Sequence, residues 1–82
     1  MKYTIKLFGP LSRAHGSSEL VIAIENGRPT CREMRDRISA SDPGLASWLD
    51  GCRFAVNGQF ASEEQSLAEE DEIALIGFVS GG

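Results

Sequence analysis

The run Ile73-Ala74-Leu75-Ile76-Gly77-Phe78-Val79 decides the fold. Read as a strand, it puts Ile73 and Leu75 on one face and Ala74, Ile76 and Phe78 on the other. A strand that is apolar on both faces belongs in the middle of a sheet. The rest of the chain must therefore supply a strand for each side and a layer to cover one face.

Lys2 to Phe8 alternates, with Tyr3, Ile5 and Leu7 pointing one way and Lys2, Thr4, Lys6 and Phe8 the other. That is a half-buried strand with Phe8 on its polar face. Gly9-Pro10 ends it, and Leu11 to Ser17 reads as a loop. Glu19 to Ile24 is a second strand with Leu20, Ile22 and Ile24 inward, and the short link favours antiparallel pairing. Asn26-Gly27 turns the chain. Thr30 and Glu33 fit a capping box, which predicts a helix from Cys31. Cys31, Met34 and Ile38 form its inner stripe, and Arg32, Arg35, Asp36 and Arg37 its outer surface. Ser41-Asp42-Pro43-Gly44 stops that helix. A short helical turn through Leu45, Trp48 and Leu49 follows, with Trp48 as a lid on the core. Arg53 to Val56, Asn57-Gly58, and Gln59 to Ala61 form a hairpin, because Asn-Gly suits the positive φ of a type I′ turn. Phe54 and Val56 face inward, and Phe60 is the large apolar residue of the return strand. Leu67 lies in a connecting turn.

Strand, strand, helix, strand, short strand, strand is an α+β order. A helix across one face of a mixed sheet buries these stripes, with the last strand central and parallel to the first. Eighty-two residues make one domain, expected over residues 1–79, with a Gly-Gly tail at 80–82. The margin for a deep catalytic cleft is small, so a binding or carrier module is the better expectation.

The net charge of −4 argues against nucleic acid and favours a partner with a basic patch. No run is long enough to span a bilayer, and Met1 to Leu7 is not a signal-peptide core, so the expected location is cytoplasmic. Glu63-Glu64 and Glu69-Glu70-Asp71-Glu72 read as solvated turns. Cys31 and Cys52 lack metal-ligand spacing and read as buried inert thiols, with no metal site expected. His15 is a loop residue with no carboxylate beside it in sequence, and no catalytic role is expected of it.

The tail is the feature that points to chemistry. Ser80-Gly81-Gly82 follows the last strand directly and ends without side chains. Glycine at both terminal positions lets a tail pass between close walls and presents one reactive group, the Gly82 carboxylate. A carboxylate is a poor acyl electrophile, so a partner must supply the leaving group, Mg²⁺ and cations to activate it.

Taken in order, Ile5-Lys6-Leu7-Phe8, Phe54-Ala55-Val56-Asn57-Gly58, Leu67 with Asp71-Glu72-Ile73-Ala74, and Val79-Ser80-Gly81-Gly82 resemble the MoaD/ThiS family of sulfur carriers nearly end to end. Overall length and the Arg13 loop are most similar to the MoaD branch, the small subunits of molybdopterin synthase. The resemblance implies a β-grasp (ubiquitin-like) fold. It implies that a MoeB-like adenylyltransferase uses MgATP to adenylate Gly82, the candidate catalytic position, and that a sulfur donor protein then yields a thiocarboxylate. It implies a MoaE-like large subunit, in a heterotetramer of two small and two large subunits, into which Phe78, Val79, Ser80 and Gly81 insert. There the sulfur attacks a cyclic pyranopterin precursor. The chain itself binds no cofactor and is a sulfur-donating subunit rather than an enzyme alone. Family members often carry proline just before the tail, where this chain has Gly77 and Phe78.

Phe8, Phe60, Ile76 and Phe78 fall on the sheet face opposite the helix, and an apolar patch there fits a protein interface, with Arg13 on its rim. That patch is expected to dock both partners in turn. Three alternatives stay open from sequence: a carrier for thiazole or another sulfur metabolite, a ubiquitin-like modifier of lysine, and a plain interaction domain.

Overall fold

The computed structural model describes residues 1–25 and 27–77. The expected turn residue Asn26 and the tail residues Phe78, Val79, Ser80, Gly81 and Gly82 lie outside them. The first strand, β1 (Lys2–Phe8), is followed by a short helix, α1 (Pro10–His15), and an edge strand, β2 (Glu19–Ala23). Two helices come next, α2 (Cys31–Ser41) and α3 (Pro43–Leu49), then the hairpin of β3 (Cys52–Val56) and β4 (Gln59–Phe60), and finally β5 (Ile73–Gly77). The strands form one sheet in the order β2-β1-β5-β3-β4. β5 runs parallel to β1 and antiparallel to β3, so the strand that is apolar on both faces is central, as expected. This is the α+β, β-grasp arrangement.

Period-two burial follows the sequence pattern. Tyr3, Ile5 and Leu7 of β1, Leu20 and Ile22 of β2, Phe54 and Val56 of β3, and Ile73 and Leu75 of β5 are all buried. They join Cys31, Met34 and Ile38 of α2 and Leu45 and Leu49 of α3 in one core. Each such side chain contributes roughly 1.5–3 kcal/mol through burial. Tyr3 is the core's largest polar-tipped member, and its hydroxyl donates to the Leu67 carbonyl at 3.3 Å. That bond ties the long connection before β5 to β1.

The caps explain where helices start. Thr30 Oγ1 accepts from the Glu33 amide and Glu33 accepts from the Thr30 amide, the full capping box. Asp42 ends α2 and its carboxylate accepts from the Gly44 amide, while Pro43 occupies the first turn of α3, where its missing N–H costs nothing. Asn57 at φ 52° and Gly58 at φ 85° make the type I′ turn. The turn is also fastened sideways: Asn57 Oδ1 accepts from the Glu72 amide and Asn57 Nδ2 donates to Asp71.

Four local expectations change. Leu11 to Ser17 is not all loop, because Pro10–His15 is helical. Proline serves as its first residue, and Gly16 at φ 90° closes it by donating to the Ser12 carbonyl. Fully buried Leu11 anchors it. Arg35 is not on the outer surface: it is half-buried and donates to both Glu63 oxygens and to the carbonyls of Leu49 and Cys52. Glu63-Glu64 is therefore not a free solvated pair, since Glu64 also meets Arg32 at 3.0 Å. Trp48 is not a lid but stays 44% exposed.

Arg35 joins α2, the end of α3, the start of β3 and the loop carrying Glu63. Its hydrogen bonds hold the Glu63 carboxyl below its ordinary value of 4.5. A carboxyl depressed in the fold adds stability that is present above the unfolded value and is lost as pH falls through the folded one. Glu63→Gln is accordingly expected to cost about 1–2 kcal/mol at pH 7. Thermal melts between pH 7 and pH 3 check it, because the variant's melting temperature should fall less steeply with acid than that of the parent chain.

Candidate functional site

The face of the sheet opposite α2 has no helix on it among the described residues, and strand register places its side chains in rows. Phe8, Ile76 and Arg53 stand abreast on β1, β5 and β3. In the next row are Lys6, Ala74, Ala55 and Phe60, on β1, β5, β3 and β4. Adjacent strands lie about 4.8 Å apart, so these rows form one continuous surface. Phe8 is 50% exposed and Phe60 53%, while Ile76 is half-buried between them. Of the expected patch, Phe8, Phe60 and Ile76 lie together around a concavity, while Phe78 lies outside the described residues. Sequence reasoning put Ala74 and Lys6 on this face but did not count them in the patch, and it missed Ala55, Glu72 and Arg53. Strict alternation along β3 and β5 was the signal that could have found them.

The polar groups on this face have definite partners. Lys6 Nζ lies 3.5 Å from Glu72, and the Arg53 guanidinium stacks 4.7 Å from the Phe60 ring centre. Stacking fixes the Phe60 ring and keeps Arg53 at the edge of the apolar surface.

Arg13 is not on the rim of this patch. It lies on α1 and lines a separate groove with Pro10, Ala14 and Trp48. His15, on the same helix, does have a carboxylate beside it: Nδ1 meets Asp42 at 2.7 Å, which ties α1 to the start of α3. That contact spans 27 residues of sequence and so was invisible there. It fastens two elements.

The end of β5 is where the described chain stops. Gly77 pairs with Cys52 in the sheet, and a methyl group there would rest 3.5 Å from Pro10 and Leu11. Gly9, at φ 70°, turns the chain from β1 into α1, and a Cβ added there would lie 3.4 Å from the Gly77 carbonyl oxygen. A side chain at Gly9 would be strained by that φ. The described chain thus ends at Gly77, between α1 and β3 and next to Ile76.

Both thiols are buried. Burial pushes the Cys31 thiol up to about 11 and raises that of Cys52, whose Sγ donates to the Trp48 carbonyl at 2.9 Å. They are poor nucleophiles. Among the described residues there is no cluster of metal-ligating side chains, and no helix is long and apolar enough to cross a membrane.

No curated protein matches the chain in sequence. Solved structures do match it. SAMP1 from Haloferax volcanii is 28% identical with a TM-score of 0.83, covering 100% of both chains. A crystal structure of the small archaeal modifier protein 1 of H. volcanii gives 26% and 0.82, covering 95% of this chain and 98% of that one. The complex of subunits 1 and 2 of the molybdopterin-converting factor from Helicobacter pylori gives 26% and 0.67, covering 100% of both chains. The ThiS family model matches residues 5–82. With its sheet order and this match through the Gly-Gly end, the chain belongs to the ThiS family of ubiquitin-like sulfur carriers.

Proposed function

We propose that this chain is the sulfur-donating small subunit of a molybdopterin synthase. The observation that carries the reading is its end-to-end similarity to a molybdopterin-converting factor solved with its second subunit. The uncovered Phe8–Ile76–Phe60 face beside the root of the tail supports it, because a partner docked there sits next to whatever the tail delivers.

The chemistry runs in two steps. The Gly82 carboxylate attacks the α-phosphorus of ATP in a MoeB-like adenylyltransferase, releasing pyrophosphate and forming an acyl-adenylate. Sulfur at the hydrosulfide level, from a donor protein, attacks the acyl carbon and displaces AMP, leaving a thiocarboxylate. That thiocarboxylate is ionised at neutral pH, so it needs no base to become a nucleophile. MgATP belongs to the partner. The chain's own residues hold the tail root, present the docking face and leave the last two positions free of side chains. No side chain of the described fold takes part in bond making, which is why the chain is a carrier within an enzyme rather than an enzyme alone.

Both partners need the tail, so both are expected to use this face in turn. Competition binding checks this: the MoaE-like large subunit should displace the adenylyltransferase, and a stable ternary complex would contradict it. The acceptor is tested by incubating the thiocarboxylated chain with the MoaE-like subunit and cyclic pyranopterin precursor. Dithiolene formation supports molybdopterin synthesis. A second reading, a lysine modifier, is favoured by the similarity to the small archaeal modifier protein. Amide-linked conjugates ending in Gly82, with no dithiolene, would select it.

A further inference from the structure

The docking face is not flat. Ala55 and Ala74 are register partners on β3 and β5, and two methyl groups side by side leave a depression. Phe8 and Ile76 line it on the β1–β5 side, and Phe60 and Gly58 on the side of the β3–β4 hairpin. The depression measures about 290 Å³. An apolar cavity of about 150 Å³ is enough for a benzene ring, so this one has room for a large side chain.

Charge around the depression selects further. Lys6 and Glu72 line it and pair with each other. Arg53 stands next to it, stacked on Phe60, and among the described residues no carboxylate forms an ion pair with it. The chain carries −4 overall, yet among the described residues this cation has no carboxylate in ion-pair contact, and only its longer-range field reaches Glu63. A second copy of the chain fits it poorly, because a two-fold dimer through this face brings the same cation toward itself.

Resting on the docking role proposed above, we propose that this depression is a socket for one aliphatic or aromatic side chain of the partner protein, with a partner carboxylate beside it on Arg53. Buried anchors of this kind carry most of an interface's energy, and a charge at the edge sets orientation. The net charge of the chain, which alone favours a basic partner, does not describe this contact.

The test measures binding of the full chain to the cognate MoaE-like large subunit by calorimetry. Ala74→Leu fills the socket from its floor and should weaken binding by at least about 30-fold. Arg53→Glu, at an exposed position, should weaken it by at least about 10-fold, and Arg53→Lys by less. Circular dichroism melts of each variant establish that the fold is kept. Wild-type affinity in folded Ala74→Leu overturns the socket, and unchanged or tighter binding of Arg53→Glu overturns the carboxylate. Should the parent chain itself fail to bind, the docking role falls, which is a different failure from a variant that binds normally. Sedimentation of the chain alone completes the test: a dimer abolished by Ala74→Leu would make a second copy the occupant and overturn the proposal.

Discussion

Gly82→Ala lowers ATP-dependent sulfur loading by at least about 100-fold and leaves the melting temperature within a few degrees of the parent chain. The expectation follows from what each glycine must do. The acyl carbon of residue 82 has to reach the α-phosphorus of ATP inside another protein, through walls fitted to a chain without side chains. A methyl group at that position displaces the reacting carbon by about an ångström, and displacement of that size costs on the order of 100-fold in rate. The fold should not notice, because Leu75 is the last core residue among the described residues and Gly77 with Cys52 the last described strand pair. Loading assays with the adenylyltransferase, MgATP and a sulfur source check the first half, and thermal melts the second. A variant that loads like the parent would remove the reason for a Gly-Gly end.

Phe8→Asp weakens binding of the MoaE-like subunit by about 30- to 1000-fold, or about 2–4 kcal/mol. Phe8 is the last residue of β1, half exposed, abreast of Ile76 and next to the root of the tail. It is the largest side chain on that side of the depression, and its loss also places an unpaired carboxylate in an apolar contact. The substitution is on the uncovered face, so Tyr3, Ile5 and Leu7 keep their packing. Calorimetry gives the affinity and circular dichroism the fold. Both partner complexes should weaken together if they share the face; loss of one alone would divide it between them.

The fold was legible where chemistry is local. Alternation in β1, the Thr30–Glu33 box, the Asn57-Gly58 turn and the doubly apolar β5 each act over a few residues, and each appears where the sequence places it. The face Phe8–Ile76–Phe60 was legible for the same reason, since alternation puts those residues outward. What was not legible depends on contacts across the fold. Arg35 looks like an outer-face helix residue until Glu63, 28 residues on, folds over it. His15 looks like a loop residue until Asp42 arrives. Helix α1 has one buried apolar residue, Leu11, so no periodicity announces it, and its Pro10 and Gly16 read equally well as turn residues. Arg13 followed that helix away from the patch. Ala74 was placed on the right face, but it and Ala55 were not counted with the patch, because small residues make a site by what they leave empty.

The measurement that tests the carrier reading most directly is intact and top-down mass spectrometry of the chain after incubation with the cognate adenylyltransferase, MgATP and a sulfur source. Replacement of one oxygen by sulfur, localised to Gly82 and dependent on ATP, is the predicted result. Methionine oxidation has nearly the same mass, so localisation and a chain lacking Gly81-Gly82 are part of the measurement. An unmodified Gly82, with the same adenylyltransferase active on another carrier, would contradict the account.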